Sequence, residues 1–217
     1  MKYYILASVI LFGFLIHRAN RLNRKEHDRD EKTFWEKENA ANNVRKKSLD
    51  GLSYITLPKE LLDLIEATLA FINSKKENAS DEEDFHSILE CMNSLKDLAD
   101  RKIVNFTGIS NTDLKLEYGT ANITVLTEYD QNYTLLARSL NQWGSFLKEN
   151  DKIRDAKSVF EFAISTGTDI SNTFYELAEI YAKDLEFSKI EHLSEIAEEL
   201  PSANRMAIVR HLQESYL

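Results

Sequence analysis

Hydrophobic and polar positions divide the chain into three regimes. Tyr3 to Ile16 is an unbroken run of fourteen uncharged, mostly apolar residues. Arg18 to Lys47 interleaves charges of both signs without proline or glycine, and its largest apolar side chains are Phe34 and Trp35. From Pro58 onward, apolar stripes recur at helical spacing. Leu61, Ile65, Leu69 and Ile72 form one, and Phe85, Ile88, Met92, Leu95 and Ala99 step 3, 4, 3, 4 to form a second. The polar stretch Ser74 to Asp84 between them reads as a loop. Leu126, Tyr129, Tyr133, Leu136, Leu140, Trp143 and Leu147 continue the alternation. No strand template accommodates it, so a long helix beginning near Thr124 is predicted. Asn150 or Asp151 is expected to cap the next helix, which Gly167 ends. Ser171 is expected to cap a helix carrying Phe174, Leu177, Ala178 and Tyr181. Another carries Ile190, Leu193, Ala197 and Leu200 before Pro201, and a last runs from about Ala203 to Ser215. The predicted fold class is all-α.

The amino end has the character of a membrane anchor. A helix of the Tyr3–Ile16 run is about 21 Å long, against a hydrocarbon core of about 30 Å. Snorkelling of Lys2 and local bilayer thinning reduce the mismatch. A cleaved signal peptide requires small residues at its cleavage site, and the His-Arg-Ala-Asn-Arg that follows Ile16 is a poor one. A core helix would keep one polar face. The expected arrangement is a single-pass anchor over 1–17, then a charged juxtamembrane helix and extended connector over 18–57. Residues 58–217 follow as a helical domain. Arg18, Arg21, Arg24 and Lys25 flank the anchor on its carboxyl side, and the positive-inside bias puts everything after it in the cytoplasm at the cell membrane. Pro58 is expected to open the first helix of that domain.

Charge narrows the partners. Arg18–Lys47 carries ten basic and six acidic residues, whereas Ser48–Leu217 carries sixteen and thirty, a net of −14. Phosphate backbones would repel the main body, so nucleic acid is not an expected partner. The six glycines, at 13, 51, 108, 119, 144 and 167, never approach a phosphate-cradling pattern. The five histidines form no His-x-x-x-His pair, and no metal or cofactor is expected. Cys91 is the single cysteine, read as a partly buried structural thiol. No nucleophile-elbow motif appears, and the chain is not expected to be an enzyme.

The tail repeats itself. Leu140 aligns with Phe174, Trp143 with Leu177, Gly144 with Ala178, Leu147 with Tyr181 and Ala163 with Ala197, each pair 34 residues apart. The second helix of the first unit carries Ala156, Phe160 and Ala163. This pattern resembles the tetratricopeptide repeat, with units at 137–170 and 171–204 and a capping helix at 203–215. Small residues at Gly144 and Ala163 let paired helices approach. The resemblance implies a short solenoid of antiparallel helical hairpins whose concave face is lined by first-helix positions. These are Arg138, Asn141, Ser145 and Lys148, then Asn172, Tyr175, Glu179 and Lys183. Arg138, Asn141 and Lys148 would bond a peptide backbone or carboxylate, although the clamp of chaperone-binding members is not reproduced.

A broader likeness is carried by Phe34-Trp-Glu-Lys-Glu-Asn-Ala-Ala-Asn-Asn-Val-Arg-Lys-Lys, by Tyr-Ile-Thr-Leu-Pro58 and by Lys102 to Leu136. These stretches are similar to uncharacterised membrane-anchored proteins of Gram-positive anaerobic bacteria, which implies the anchor-plus-repeat layout and no activity. Within Val104–Gly119, Ser110 or Asn111 is expected to cap a short helix ended by Gly119. This stretch has two readings. It is a connector packing Leu114 and Leu116 against the long helix, or a polar pocket wall with Asn111, Asp113 and Tyr118 facing a ligand. The functional expectation is a membrane-tethered adaptor for a protein partner. The alternatives are a small-ligand binder or enzyme using 105–118, and a structural spacer at the membrane.

Overall fold

The computed structural model describes residues 30–76 and 83–216, and these are helical, with no strand among the described residues. In chain order the helices are α1 (30–42), α2 (Lys59–Lys76), α3 (Glu83–Leu98), α4 (Asn111–Tyr118), α5 (Ile123–Glu149), α6 (Ile153–Ser165), α7 (Ser171–Lys183), α8 (Phe187–Glu198) and α9 (Arg205–Tyr216). No described helix is long and apolar enough to cross a membrane. The Tyr3–Ile16 run, Arg18, Arg21, Arg24 and Lys25 lie outside the described residues, as does most of the expected loop before α3.

Two compact units divide the chain: one is Met1–Ser48 with Ser110–Ile123, the other Leu49–Ile109 with Thr124–Leu217. In this division α4 groups with the charged segment. In the first unit, α1 is exposed except at Glu38 and Ala41. Ala41 is fully buried, and Glu38 accepts hydrogen bonds from Thr112 (2.7 Å) and Lys115 on α4. Lys37 pairs with Asp113 at 2.6 Å. The helix stops at residue 42 instead of reaching Lys47, because the backbone over 43–48 is used elsewhere. Lys47 N–H donates to Tyr118 O (3.0 Å), and Asn122 Nδ2 donates to Lys47 O (2.8 Å). Gly119, at φ +89°, makes that approach possible, since a Cβ there would lie 2.7 Å from Arg45 C. Ser110 caps α4 as expected, its Oγ accepting from Asp113 N–H at 3.2 Å.

The second unit is built around α5. Pro58 stands one residue ahead of α2, its carbonyl accepting from Leu61 and Leu62. Leu61, Ile65 and Ile72 of α2 are buried with Ile88, Met92 and Leu95 of α3, as the stripes require. They join Trp143, Phe160, Phe174 and Leu177 in one continuous core. Burying a large aliphatic or aromatic side chain contributes about 1.5–3 kcal/mol, so this cluster dominates stability. Two caps differ from expectation. Lys152, not Asn150 or Asp151, precedes α6, and Ile170 precedes α7, with no side-chain cap bond at either. The reason is the chain reversal before α6, described below, which already uses the backbone around Asp151.

Candidate functional site

An α-helix turns about 100° per residue, so successive sides of α5 meet different neighbours. Gln142 Nε2 donates to Ser87 Oγ (2.7 Å) and the Cys91 thiol donates to Ser139 O (3.2 Å), which places α3 on one side. Trp143 Nε1 donates to Thr68 Oγ1 (3.1 Å), and Phe146 meets Phe71 edge-on at 6.4 Å, which places α2 next. Gly144 lies against Phe160 of α6, where a Cβ would fall 2.7 Å from ring atom Cδ1. Asn141, Ser145 and Lys148 reach α7. The order round α5 is therefore α3, α2, α6, α7. The gap between α7 and α3 stays open over Arg138, Gln142 and Glu149, all exposed.

The register of these contacts gives directions. Residues 68 and 71 of α2 meet 143 and 146, so α2 runs parallel to α5, while 87 and 91 of α3 meet 142 and 139, so α3 runs antiparallel. Parallel to α5 runs α7: Asn141 Oδ1 accepts from Asn172 Nδ2 and Thr173 Oγ1, both at 3.1 Å. Further along, Lys148 is ion-paired to Glu176 and Glu179. Lys183 also holds Glu179, at 2.7 Å. The ring of Tyr175 lies 3.9 Å from that of His211 on α9.

Of the eight expected partner-binding residues, seven thus meet across this face. Asn141, Ser145 and Asn172 form one hydrogen-bonded group, and Lys148, Glu179 and Lys183 another, with Tyr175 on His211. Burial works against the charge on Lys148, but the bonds to Glu176 and Glu179 outweigh it and hold the ammonium above its ordinary range. Glu179 is held below the usual carboxylate range, first by Lys148 and then by Lys183. Lys148 is therefore committed within the protein. Arg138 is exposed, and its guanidinium makes no ion pair or hydrogen bond among the described residues. A recess of about 380 Å³ opens beside it, lined by Ser87, Ile88, Asn141, Gln142, Ser145, Phe146 and Glu149. Ser87 was missed from the sequence because the repeat alignment says nothing of α3, and Gln142 and Glu149 because they stand off the first-helix positions that line the concave face of such a repeat.

A second feature joins α5–α6 to α7–α8. Among the described residues, Asp151 and Leu185 are the non-glycine ones with positive φ, at 59° and 60°. At the first turn Lys152 N–H donates to Leu147 O (2.9 Å) and Asp151 N–H to Lys148 O (3.1 Å). At the second, Glu186 N–H donates to Tyr181 O (2.8 Å) and Leu185 N–H to Ala182 O (3.1 Å). Each is a Schellman closure, and every residue of one stands 34 before its counterpart in the other. The residues that follow match as well, at φ −88°, ψ 53° for Lys152 and φ −90°, ψ 53° for Glu186.

The polar stretch 105–118 is divided between the two units. Asn105 Nδ2 donates to Thr166 O and Gly167 O, both at 3.1 Å, clipping the α6–α7 turn of the second unit. Gly108, at φ +82°, lies against Pro201, where a Cβ would sit 2.7 Å from the ring's Cβ. Asn111, Asp113 and Tyr118 belong to the other unit. There Lys37, and then Ser110, hold the Asp113 carboxyl below its usual range. Cys91 is buried, and desolvation raises its thiol to about 11, against nucleophilic use. No group of three or more metal-binding side chains occurs among the described residues. No protein-family model, curated protein or solved structure matches the chain.

Proposed function

We propose that this protein is a membrane-tethered interaction module that captures a protein partner on the face of α5, α7 and α9. The observation that carries the reading is the pair of matching Schellman turns 34 residues apart, which supports taking α5–α6 and α7–α8 as successive copies of one hairpin in the manner of tetratricopeptide units. Such stacking aligns first helices side by side and offers an extended binding surface. The tether is the Tyr3–Ile16 run with Arg18, Arg21, Arg24 and Lys25 on its cytoplasmic flank. The helices then work at the inner surface of the cell membrane, with no catalysis, metal or cofactor of their own.

The test is capture from solubilised membranes by the full-length chain and by its Arg138→Glu variant. Residues 1–47 stay in the bait, because removing them would strip α4 of Lys37 and Glu38. A partner held by the parent and lost by the variant, at unchanged helicity, supports the module. Absence of any partner for the parent, with the chain still in the membrane fraction after alkaline extraction, leaves a spacer. Recovery in the soluble fraction overturns the tether.

A further inference from the structure

The open side of α5 has a chemistry that selects its ligand. Its floor and walls are mainly uncharged: Ser87, Asn141, Gln142 and Ser145, with Ile88 and Phe146 adding apolar surface. Asn141 Oδ1 accepts from α7, and Gln142 Nε2 donates to Ser87. Each amide thus keeps its other half for a ligand: Nδ2 of Asn141 to donate, Oε1 of Gln142 to accept. A surface presenting donors and acceptors side by side without net charge matches a peptide main chain, which alternates the same two groups. Phosphate or carboxylate would use only the donors.

Charge appears at the two ends. Arg138 and Glu149 stand eleven positions apart on α5, about 16 Å along the helix. Extended chain advances about 3.3 Å per residue, so the two charges are separated by about five residues of bound strand. From this geometry we infer that the groove beside α3 on the open side of α5 binds an internal, extended segment of a partner protein. The segment carries an acidic side chain against Arg138 and, four or six positions away so that both point to the same side of the strand, a basic one against Glu149. The amides hold the main chain, and the end charges fix its direction. This rests on the adaptor reading and adds the sequence chemistry of the partner.

The probe is a phage-displayed library of random twelve-residue peptides, selected on the full-length chain. Enriched peptides should carry an acid and a base four or six positions apart in one fixed order. A synthetic peptide of that sequence should lose at least tenfold in affinity for the Arg138→Glu variant. Exchange of its acid for lysine should restore binding to that variant alone. Enriched peptides without this spacing, or binding indifferent to Arg138→Glu, would overturn the inference and leave the adaptor standing. If no peptide is enriched, the extended-segment ligand is overturned. A partner still captured from membranes then points to a folded-domain surface, and no capture there removes both readings. Far-UV circular dichroism of the variant guards against a folding loss.

Discussion

The hairpins α5–α6 and α7–α8 share a turn down to individual hydrogen bonds, yet their helices meet by different means. In the first, Gly144 removes a side chain so that the ring of Phe160 lies directly against α5; both are buried, Phe160 completely. In the second, the same positions of the 34-residue register hold Ala178 and Ser194. Ser194 is 5% exposed, and its hydroxyl has no hydrogen-bond partner among the described residues. An apolar recess of about 320 Å³, lined in part by Ile164, Leu177 and Leu193, opens beside it between α6, α7 and α8. Polar bonds instead tie one hairpin to the other: Tyr181 Oη of α7 donates to Glu161 of α6 (2.9 Å), and Lys157 of α6 pairs with Asp184 (2.9 Å) and Glu186 (2.6 Å) at the α7–α8 turn. Two hairpins can therefore share a backbone closure while only the first carries a ring-in-slot contact.

The sharpest way to break this comparison is Phe160→Ala, which leaves a ring-sized void under Gly144. Aromatic-to-alanine changes in a core cost about 3–5 kcal/mol, and the urea midpoint should fall accordingly. Gly144→Ala attacks the same contact from the other side. Its Cβ would strike the Phe160 ring, so overpacking of about 1–3 kcal/mol should outweigh the gain of about 1 kcal/mol in helix propensity. At the matching positions of the second hairpin the signs reverse. Ala178→Gly should cost the propensity term of about 1 kcal/mol and the burial of one methyl, about 0.8 kcal/mol, and Ser194→Ala should be neutral or stabilising by less than about 1 kcal/mol, because it deletes an unpaired buried hydroxyl. Equal losses at Phe160 and Ser194 would mean that the hairpins pack alike.

Alkaline titration probes how the first hairpin is held from its α3 side. Burial raises the Cys91 thiol, which donates to Ser139 O of α5, to about 11 from 9.0. Below pH 9 the thiol is neutral in both folded and unfolded chains and contributes no slope. Between 9 and 11 the unfolded chain ionises first and binds fewer protons, so stability falls as pH rises, by an amount on the order of 2 kcal/mol. Tyr133, pushed up to about 12 by burial, extends the loss. Cys91→Ala should flatten the lower part of the profile, and an unchanged slope would place the titrating group elsewhere.

What the sequence revealed follows from what each residue type can encode. Alternating 3, 4 spacings located α2, α3 and α5 to within a few residues, and the 34-residue alignment placed Gly144, Ala163, Ala178 and Ala197 at buried positions. Apolar periodicity reports which side of a helix is inside, but not which helix covers it. The order α3, α2, α6, α7 around α5 was consequently hidden, and with it the groove. The alliance of α4 with α1 was hidden for another reason. It rests on Glu38, Lys37, Thr112 and Lys115, residues whose pairing across more than seventy positions no local pattern announces. Lys148 was legible as a face residue but not as one already neutralised by Glu176 and Glu179.

The smallest effect concerns the shared turn itself. Asp151 and Leu185 both occupy the left-handed region, where a Cβ costs about 1–2 kcal/mol and short polar residues fare better than aliphatic ones. Leu185 is 76% exposed, so its side chain gives back little burial. Leu185→Gly should therefore stabilise, by about 0.5 kcal/mol once the greater freedom of glycine in the unfolded chain is subtracted. Asp151→Gly should gain less, because aspartate already tolerates the conformation. Thermal unfolding of the two variants side by side reads the difference directly. If Leu185→Gly destabilises instead, the leucine is held by contacts rather than strained by geometry, and the two turns are equivalent in hydrogen bonding but not in energy.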